Sequence, residues 1–277
     1  MPQLRRLANR EGQPDYDIKW RWVSYLSGGG FTAVFWVRNE VPLLPYVLPP
    51  LLRAVDRVIV IDNGSIDGWD VAQSITSDDG TPPSLRVVDY PFELAFPGDP
   101  HLGTPPDSVH SRAYARNWAL SLVETPYVLE WAGDVVLTAA GEEALLELTW
   151  RQESHDAIIE FPCSTLIAES ETEAVLRKSS VDTMAAWPNK KGVSIGKGMD
   201  QSIVQAPPRL PHLRMPDFLC FRVGWADPEA GTGAAEGSGT GGTKGPNRLT
   251  ITASEGEHVI EAAQRAPRSH WSRRRAG

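Results

Sequence analysis

Asp62 stands directly behind Val58-Ile59-Val60-Ile61, four β-branched residues in a row. Such a run suits a strand buried on both faces. A carboxylate at the carboxyl end of a buried parallel strand sits where open α/β sheets take their ligands. The apolar run Phe31 to Val37 is followed in the same way by polar groups, Arg38-Asn39-Glu40. Further on, Arg112 and Arg116 are four residues apart, the spacing that puts two side chains on one helix face. The chemistry on offer is therefore a carboxylate that accepts from a ligand N–H and a pair of guanidinium groups for an anion. Those arginines matter because the chain carries a formal charge of −8. An anionic ligand needs local help from arginines, a metal or a helix N-terminus.

To hold these groups the chain must supply strands that end at one edge. Phe31–Val37 predicts a first buried strand, 58–61 a second, and Leu85 to Tyr90 a third. Between them, 41–55 predicts a helical connection kinked or interrupted at its prolines, and 69–74 a short helix capped by Asp67. Asn63 and Ser65 read as turn formers. The stretch 91–107 is rich in proline and glycine and predicts a long loop, with His101 and His110 flanking its exit. A helix over 108–124 carries both arginines, with Asn117 bracing it. Strands over 127–131 and 135–137 follow, then a helix over 141–154 and a strand over 156–161. Beyond Cys163, 169–178 reads as a helix or a strand pair. Alternating elements of this kind indicate βαβ units and a mostly parallel sheet flanked by helices.

The remaining organisation follows from composition. Residues 1–29 form an irregular lead-in, in which Trp20, Trp22 and Tyr25 are placed to pack on the main domain, and 30–226 that domain. Residues 227–277 are a Gly/Thr-rich linker with a basic, flexible tail. Gly28-Gly29-Gly30 precede a strand, whereas a dinucleotide loop places its glycines after one. The acidic charge excludes non-specific nucleic-acid binding. Val41 to Leu52, the most apolar long stretch, is too short and proline-broken to span a membrane. Two cysteines, Cys163 and Cys220, imply no disulfide framework and fit a reduced, cytoplasmic protein.

Four segments in order, Arg38-Asn39-Glu40, Asp56 to Gly68, Ala115-Arg116-Asn117-Trp118-Ala119 and Val128 to Asp134, resemble family 2-type glycosyltransferases of the GT-A fold. The resemblance covers roughly residues 31 to 137, with a weaker echo over 190–215. It implies a GT-A-like, Rossmann-like domain that moves a sugar from a nucleotide-diphosphate donor to an acceptor hydroxyl. Asp62 then contacts the base of the donor, and Arg116, with Arg112 beside it, the nucleotide and its diphosphate. Asn39 and Glu40 join the donor site, and Lys197 meets a phosphate. Ala132-Gly133-Asp134 stands where the family has Asp-x-Asp, its first aspartate replaced. Asp134 keeps the direct contact to a divalent cation, Mg²⁺ or Mn²⁺, and His212 adds a further ligand.

If anomeric configuration is inverted, the reaction needs a general base. Glu160, Asp182, Asp200, Asp217 and Asp227 are all available, and distance from Asp134 along the chain favours Asp200, Asp217 and Asp227. The alanine at 132 motivates a second reading, a catalytically weakened binding or accessory protein that keeps the fold. A SAM- or NAD-dependent Rossmann enzyme ranks last, because Arg38-Asn39-Glu40 stands where its glycines belong.

Overall fold

A computed structural model describes residues 5–20, 30–40, 43–66, 85–150, 157–168, 174–198, 202–216 and 219–224. Its centre is a nine-stranded sheet with the order β5-β4-β3-β6-β9-β8-β13-β7, and β12 also on β8. The strands are β3 Phe31–Val37, β4 Arg57–Asp62, β5 Leu85–Asp89, β6 Tyr127–Ala132, β7 Val135–Leu137, β8 Ile158–Ala168, β9 Ala174–Pro188, β12 His212–Arg214 and β13 Cys220–Gly224. β3, β4, β5 and β6 are mutually parallel, so their carboxyl ends share one edge. β9 runs antiparallel to both β6 and β8, which turns the far half of the sheet into a mixed one.

Alternation along β3 explains why the sheet has two cores. Phe31, Ala33, Phe35 and Val37 face one side, and Val34 and Trp36 the other. The first side is covered by helices α1 (Leu44–Ala54) and α4 (Ala139–Trp150). α1 buries Leu44, Val47, Leu48, Leu51 and Ala54, a stripe at helical spacing. Each fully buried leucine there contributes about 2 kcal/mol of apolar burial. That stripe explains why the helix runs through Pro49 and Pro50 instead of breaking there. The second side is covered by α3 (Arg112–Leu120), the hairpin β10 (Ser194–Lys197) and β11 (Ser202–Gln205), and an N-terminal ribbon. A one-turn helix, α2 (Asp99–Gly103), lies within the stretch expected to be loop.

α3 is shorter than the 108–124 expected for it. Ser111 caps its start, accepting from the Tyr114 amide. At the other end Leu122 and Val123 donate back to Ala119 and Leu120, a tighter turn that stops the helix. The lead-in also departs from expectation. Residues 5–20 hold a ribbon, β1 (Arg5–Leu7) with β2 (Ile18–Trp20), rather than irregular chain. Asp17 closes it by accepting from the Asn9 amide and Arg6, and the Tyr114 hydroxyl donates to Leu7 or Tyr16. Trp20 packs on the second core as expected, while Trp22 and Tyr25 lie outside the described residues. So do the helix over 69–74 with its cap Asp67 and the tail beyond 224.

Of the stretch 169–178, left open between a helix and a strand pair, residues 174–178 are strand, the start of β9 paired with β8, and 169–173 lie outside the described residues. Cys163 and Cys220 are register partners on β8 and β13, both buried free thiols. The hydrogen bond between them, with burial, pushes the Cys220 thiol far up. No helix among the described residues is long and apolar enough to cross a membrane.

Candidate functional site

Register places Asp62 at the middle of the parallel edge, between Val37 of β3 and Asp89 of β5. It is 8% exposed, and its Oδ1 accepts from the Ser65 amide at 2.9 Å. One carboxylate oxygen is thus committed to the turn that Asn63-Gly64-Ser65 makes. Gly64 takes a φ of 77°, which glycine adopts without steric cost. The Asn63 side chain donates to the carbonyls of Tyr90 and Phe92, tying this turn to the exit of β5.

Asn39 ties the same turn to β3. Its amide donates to the Ser65 hydroxyl at 3.1 Å, and its Oδ1 accepts from the Ile66 amide at 2.9 Å. With a φ of 60° it is the one non-glycine residue in the left-handed region among those described. Asparagine tolerates that region better than most residues. The structure therefore gives Asn39 a loop-clasping role in addition to any contact with a donor.

The arginines gather at the same edge. Arg112 opens α3 and donates through Nε to the Ala95 carbonyl at 2.7 Å. Burial, then the charges of Arg116 and Arg38, hold its guanidinium below the ordinary arginine range. Three cations thus feel one another where α3 presents its N-terminus, itself the positive end of the helix dipole. Arg116 ion-pairs with Glu130 of β6, which offsets one of the three charges. The spacing of Arg112 and Arg116 made this face legible. Arg38, the first residue after β3, and Glu130, inside an otherwise apolar strand, carry no spacing signal in the sequence that would link them to this face.

Lys197 is committed elsewhere. From the end of β10 its ammonium donates to the carbonyls of Leu102 and Thr104, capping α2. Asn117 braces α3 as expected, though against the hairpin: its side-chain amide exchanges two hydrogen bonds with the backbone of Ile195, at 2.7 and 2.8 Å.

Asp134 lies just past β6. Its carbonyl accepts from Val223, and its Oδ2 stands 3.6 Å from Nε of Arg222. Glu40 reaches the same corner, for a Cβ built on Gly133 would lie 2.4 Å from Glu40 Oε2 and 3.4 Å from the Trp36 carbonyl. His212 is not brought there. It pairs with Ile158 at the start of β8, whereas Arg222 pairs with Thr165. Seven residues of strand separate the two levels, about 23 Å. His212 is 60% exposed and its Nδ1 lies 3.2 Å from Glu160. Both are therefore remote from Asp134, because β12 joins β8 at the end opposite to the ligand edge.

Among the described residues no group of three or more His, Cys, Asp or Glu side chains is arranged to hold a metal. Mg²⁺ and its like are bound through one or two carboxylates when substrate phosphates complete the shell. Glu40, whose carboxylate lies against Gly133, and Asp134, the next residue along the chain, are two carboxylates of that kind. Asp200, Asp217 and Asp227 lie outside the described residues, as does the side chain of Asp182. His110 is occupied with the Glu93 carbonyl, and His101 is fully buried within α2.

No family model matches this chain, and no curated protein does. Solved structures match it in part. S. aureus TarS 1-349 is 13% identical at a TM-score of 0.42, over 69% of this chain and 60% of that one. A mannosyltransferase from Pyrobaculum calidifontis, in complex with GDP-Man and Mn²⁺, is 15% identical at 0.45, over 73% and 59%. Glucosyl-3-phosphoglycerate synthase from Mycobacterium tuberculosis, in complex with Mn²⁺, UDP and glucosyl-3-phosphoglycerate, is 16% identical at 0.34, over 59% and 58%. The chain spans 58–60% of the length of these three. The likeness is one of partial topology, and the α/β architecture described above stands on its own strand order.

Proposed function

We propose that this chain transfers a sugar from a nucleotide-diphosphate donor to an acceptor hydroxyl. One observation carries the reading: Arg38, Asn39 and Glu40 just past β3, Asp62 at the end of β4 and Asp134 just past β6 lie at the carboxyl ends of parallel strands, and Arg112 at the start of α3 feels the charges of Arg116 and Arg38. Asp62 would accept a base N–H through the oxygen not bonded to Ser65, and its low exposure makes such a contact selective. Arg38, Arg112 and the start of α3 would meet the diphosphate, answering the overall charge of −8. Arg116 would steady that group from its pair with Glu130. The transferase unit is taken as residues 30–226, with 1–29 leading in and 227–277 as a tail.

In the step itself the acceptor oxygen bonds to the anomeric carbon and its proton passes to a base, while the bond to the diphosphate breaks and the nucleoside diphosphate leaves. Negative charge grows on the leaving phosphate, and the fixed guanidinium groups stabilise it without reorganising. When bound, Mg²⁺ or Mn²⁺ would act as a Lewis acid on the same oxygens, and Asp134 with Glu40 would hold it.

Calorimetric titration with UDP, GDP and dTDP, with and without Mn²⁺, tests the proposal. Binding of at least one is expected, weakened at least tenfold in Asp62→Ala, and no binding of any would sink it. A weakened, binding-only role is the second reading, favoured by Ala132 and by the pairing of Asp134 with Arg222. Donor hydrolysis that disappears in Asp134→Ala would reject it.

A further inference from the structure

Cys163 and Cys220 are the chain's two cysteines, and the fold makes them register partners on the adjacent parallel strands β8 and β13. Both are free thiols, 1% and 0% exposed, in the same core. Adjacent strands lie about 4.8 Å apart, inside the roughly 4.4–6.8 Å between Cα atoms that a disulfide spans. A hydrogen bond already joins the two side chains. Each thiol also reaches a backbone carbonyl, Cys163 that of Ser164 at 3.7 Å and Cys220 that of Pro162 at 3.8 Å. A thiol is a weak donor, so neither contact fixes its sulfur firmly.

The backbone at Cys163 is also irregular. The ladder from β8 to β9 slips there, for Pro162 pairs with Thr183 but Ser164 with Lys178. A bulge of this kind leaves its residue out of the ladder and lets the strand bend locally. That is the freedom a new bond at Cys163 needs.

We propose that Cys163 and Cys220 form a modification site, which a low-molecular-weight disulfide of the glutathione class oxidises to a bond that staples β13 into the sheet. The inference does not depend on the transferase reading. One cysteine thiolate attacks the glutathione disulfide and expels a glutathione thiolate; the other cysteine then attacks the mixed disulfide and expels the second. Two cysteine thiols are oxidised, one glutathione disulfide is reduced, and the two protons go to the leaving thiolates. The thiolate is the attacking form, and the thiol–thiol hydrogen bond together with burial keeps Cys220 protonated. β13 must therefore open, or still be undocked, for the exchange to run. Once made, the bond closes the chain from 163 to 220 and takes that freedom from the unfolded state. It also fixes the strand from which Arg222 and Val223 face Asp134.

The test incubates the full chain with excess glutathione disulfide, natively in one arm and during refolding from urea in the other. Mass spectrometry of the non-reduced digest reads the peptide pair carrying Cys163 and Cys220. The linked pair is expected in both arms, sooner in the refolding one, within a monomer lighter by two hydrogens. It should raise Tm by about 5 °C or more, and dithiothreitol should reverse the rise. Cys163→Ala and Cys220→Ala should each lose the link and the rise in Tm, and take up one glutathione on the remaining cysteine during refolding. The wild type alone decides the matter if either variant does not fold. Thiols that stay reduced in both arms, cysteines that end only as glutathione adducts or as links between two chains, or a link that leaves Tm unmoved would each overturn the proposal.

Discussion

Replacing Asn39 separates the two contributions of its clasp. Its backbone amide bond to Ser65 survives any substitution except proline, whereas the bond from the Ile66 amide to Oδ1 does not survive truncation. Losing that acceptor in a partly exposed turn costs roughly 0.5–1.5 kcal/mol. Alanine must also take a φ of 60°, which costs an ordinary L-residue about 1–2 kcal/mol, part of which asparagine avoids. Asn39→Ala should therefore destabilise the fold by roughly 1.5–2.5 kcal/mol. Asn39→Gly loses the same hydrogen bond without the φ cost and should be more stable than the alanine variant by about 1 kcal/mol. Asn39→Asp keeps the acceptor and should fall within about 0.5 kcal/mol of wild type. Urea denaturation at a common m-value reads all three. Equal midpoints for the alanine and glycine variants, or an aspartate variant as weak as alanine, would refute the reasoning. The same series should order nucleotide affinity, since the clasp fixes the turn that holds Asp62.

Four further outcomes are expected. Gly141→Ala should destabilise despite the better helix propensity, worth about 1 kcal/mol. Its Cβ would lie 2.0 Å from the Leu219 carbonyl, and overpacking of this kind costs about 1–3 kcal/mol. Gly103→Ala meets nothing within 4 Å and should be neutral or stabilising by thermal denaturation. Asn117→Ala should strip two partners from the buried Ile195 backbone, about 1–3 kcal/mol for each group left unsatisfied, and hydrogen exchange should accelerate selectively over 194–205. For Asp17, burial raises the carboxyl, but hydrogen bonds from Asn9 and Arg6 and the charges of Arg6 and Lys19 outweigh it, so the folded value is depressed. Its stabilisation is present above the unfolded value, near 3.9, and lost as pH falls through the folded one. Stability curves of Asp17→Asn should lack that acid-limb loss and lie below wild type at pH 7; parallel curves would reject the assignment.

Strands were the legible part of this fold because their apolar runs are local. Phe31–Val37 is found with the expected limits, and β4 extends the expected strand by one residue at each end. α1 shows where local reading gives way. Proline predicts a kink or an interruption; the helix is not interrupted, and five buried side chains on one stripe hold it together through both prolines. β1 and β2 were invisible because three-residue strands have too short a period to register, and they are held by Asp17, beside the ribbon, and by Tyr114, distant in sequence. Within the candidate site, Asp62, Arg112 and Arg116 announce themselves by position and spacing. The approach of Glu40 to Gly133, the pairing of Asp134 with Arg222 and the remoteness of His212 depend on which strands are neighbours. A single chain without its topology does not encode that in any short window.

The sheet order has a consequence for synthesis. β13 is the last of the described strands, yet it lies inside the sheet, between β8 and β7. Until residues 220–224 leave the ribosome, β7 lacks its strand partner and the later half of β8 shows an open edge on that side. Such edges are templates for pairing with other chains. A nascent or truncated chain ending before Cys220 should thus be the aggregation-prone form, and the molecule closes from its carboxyl side inward.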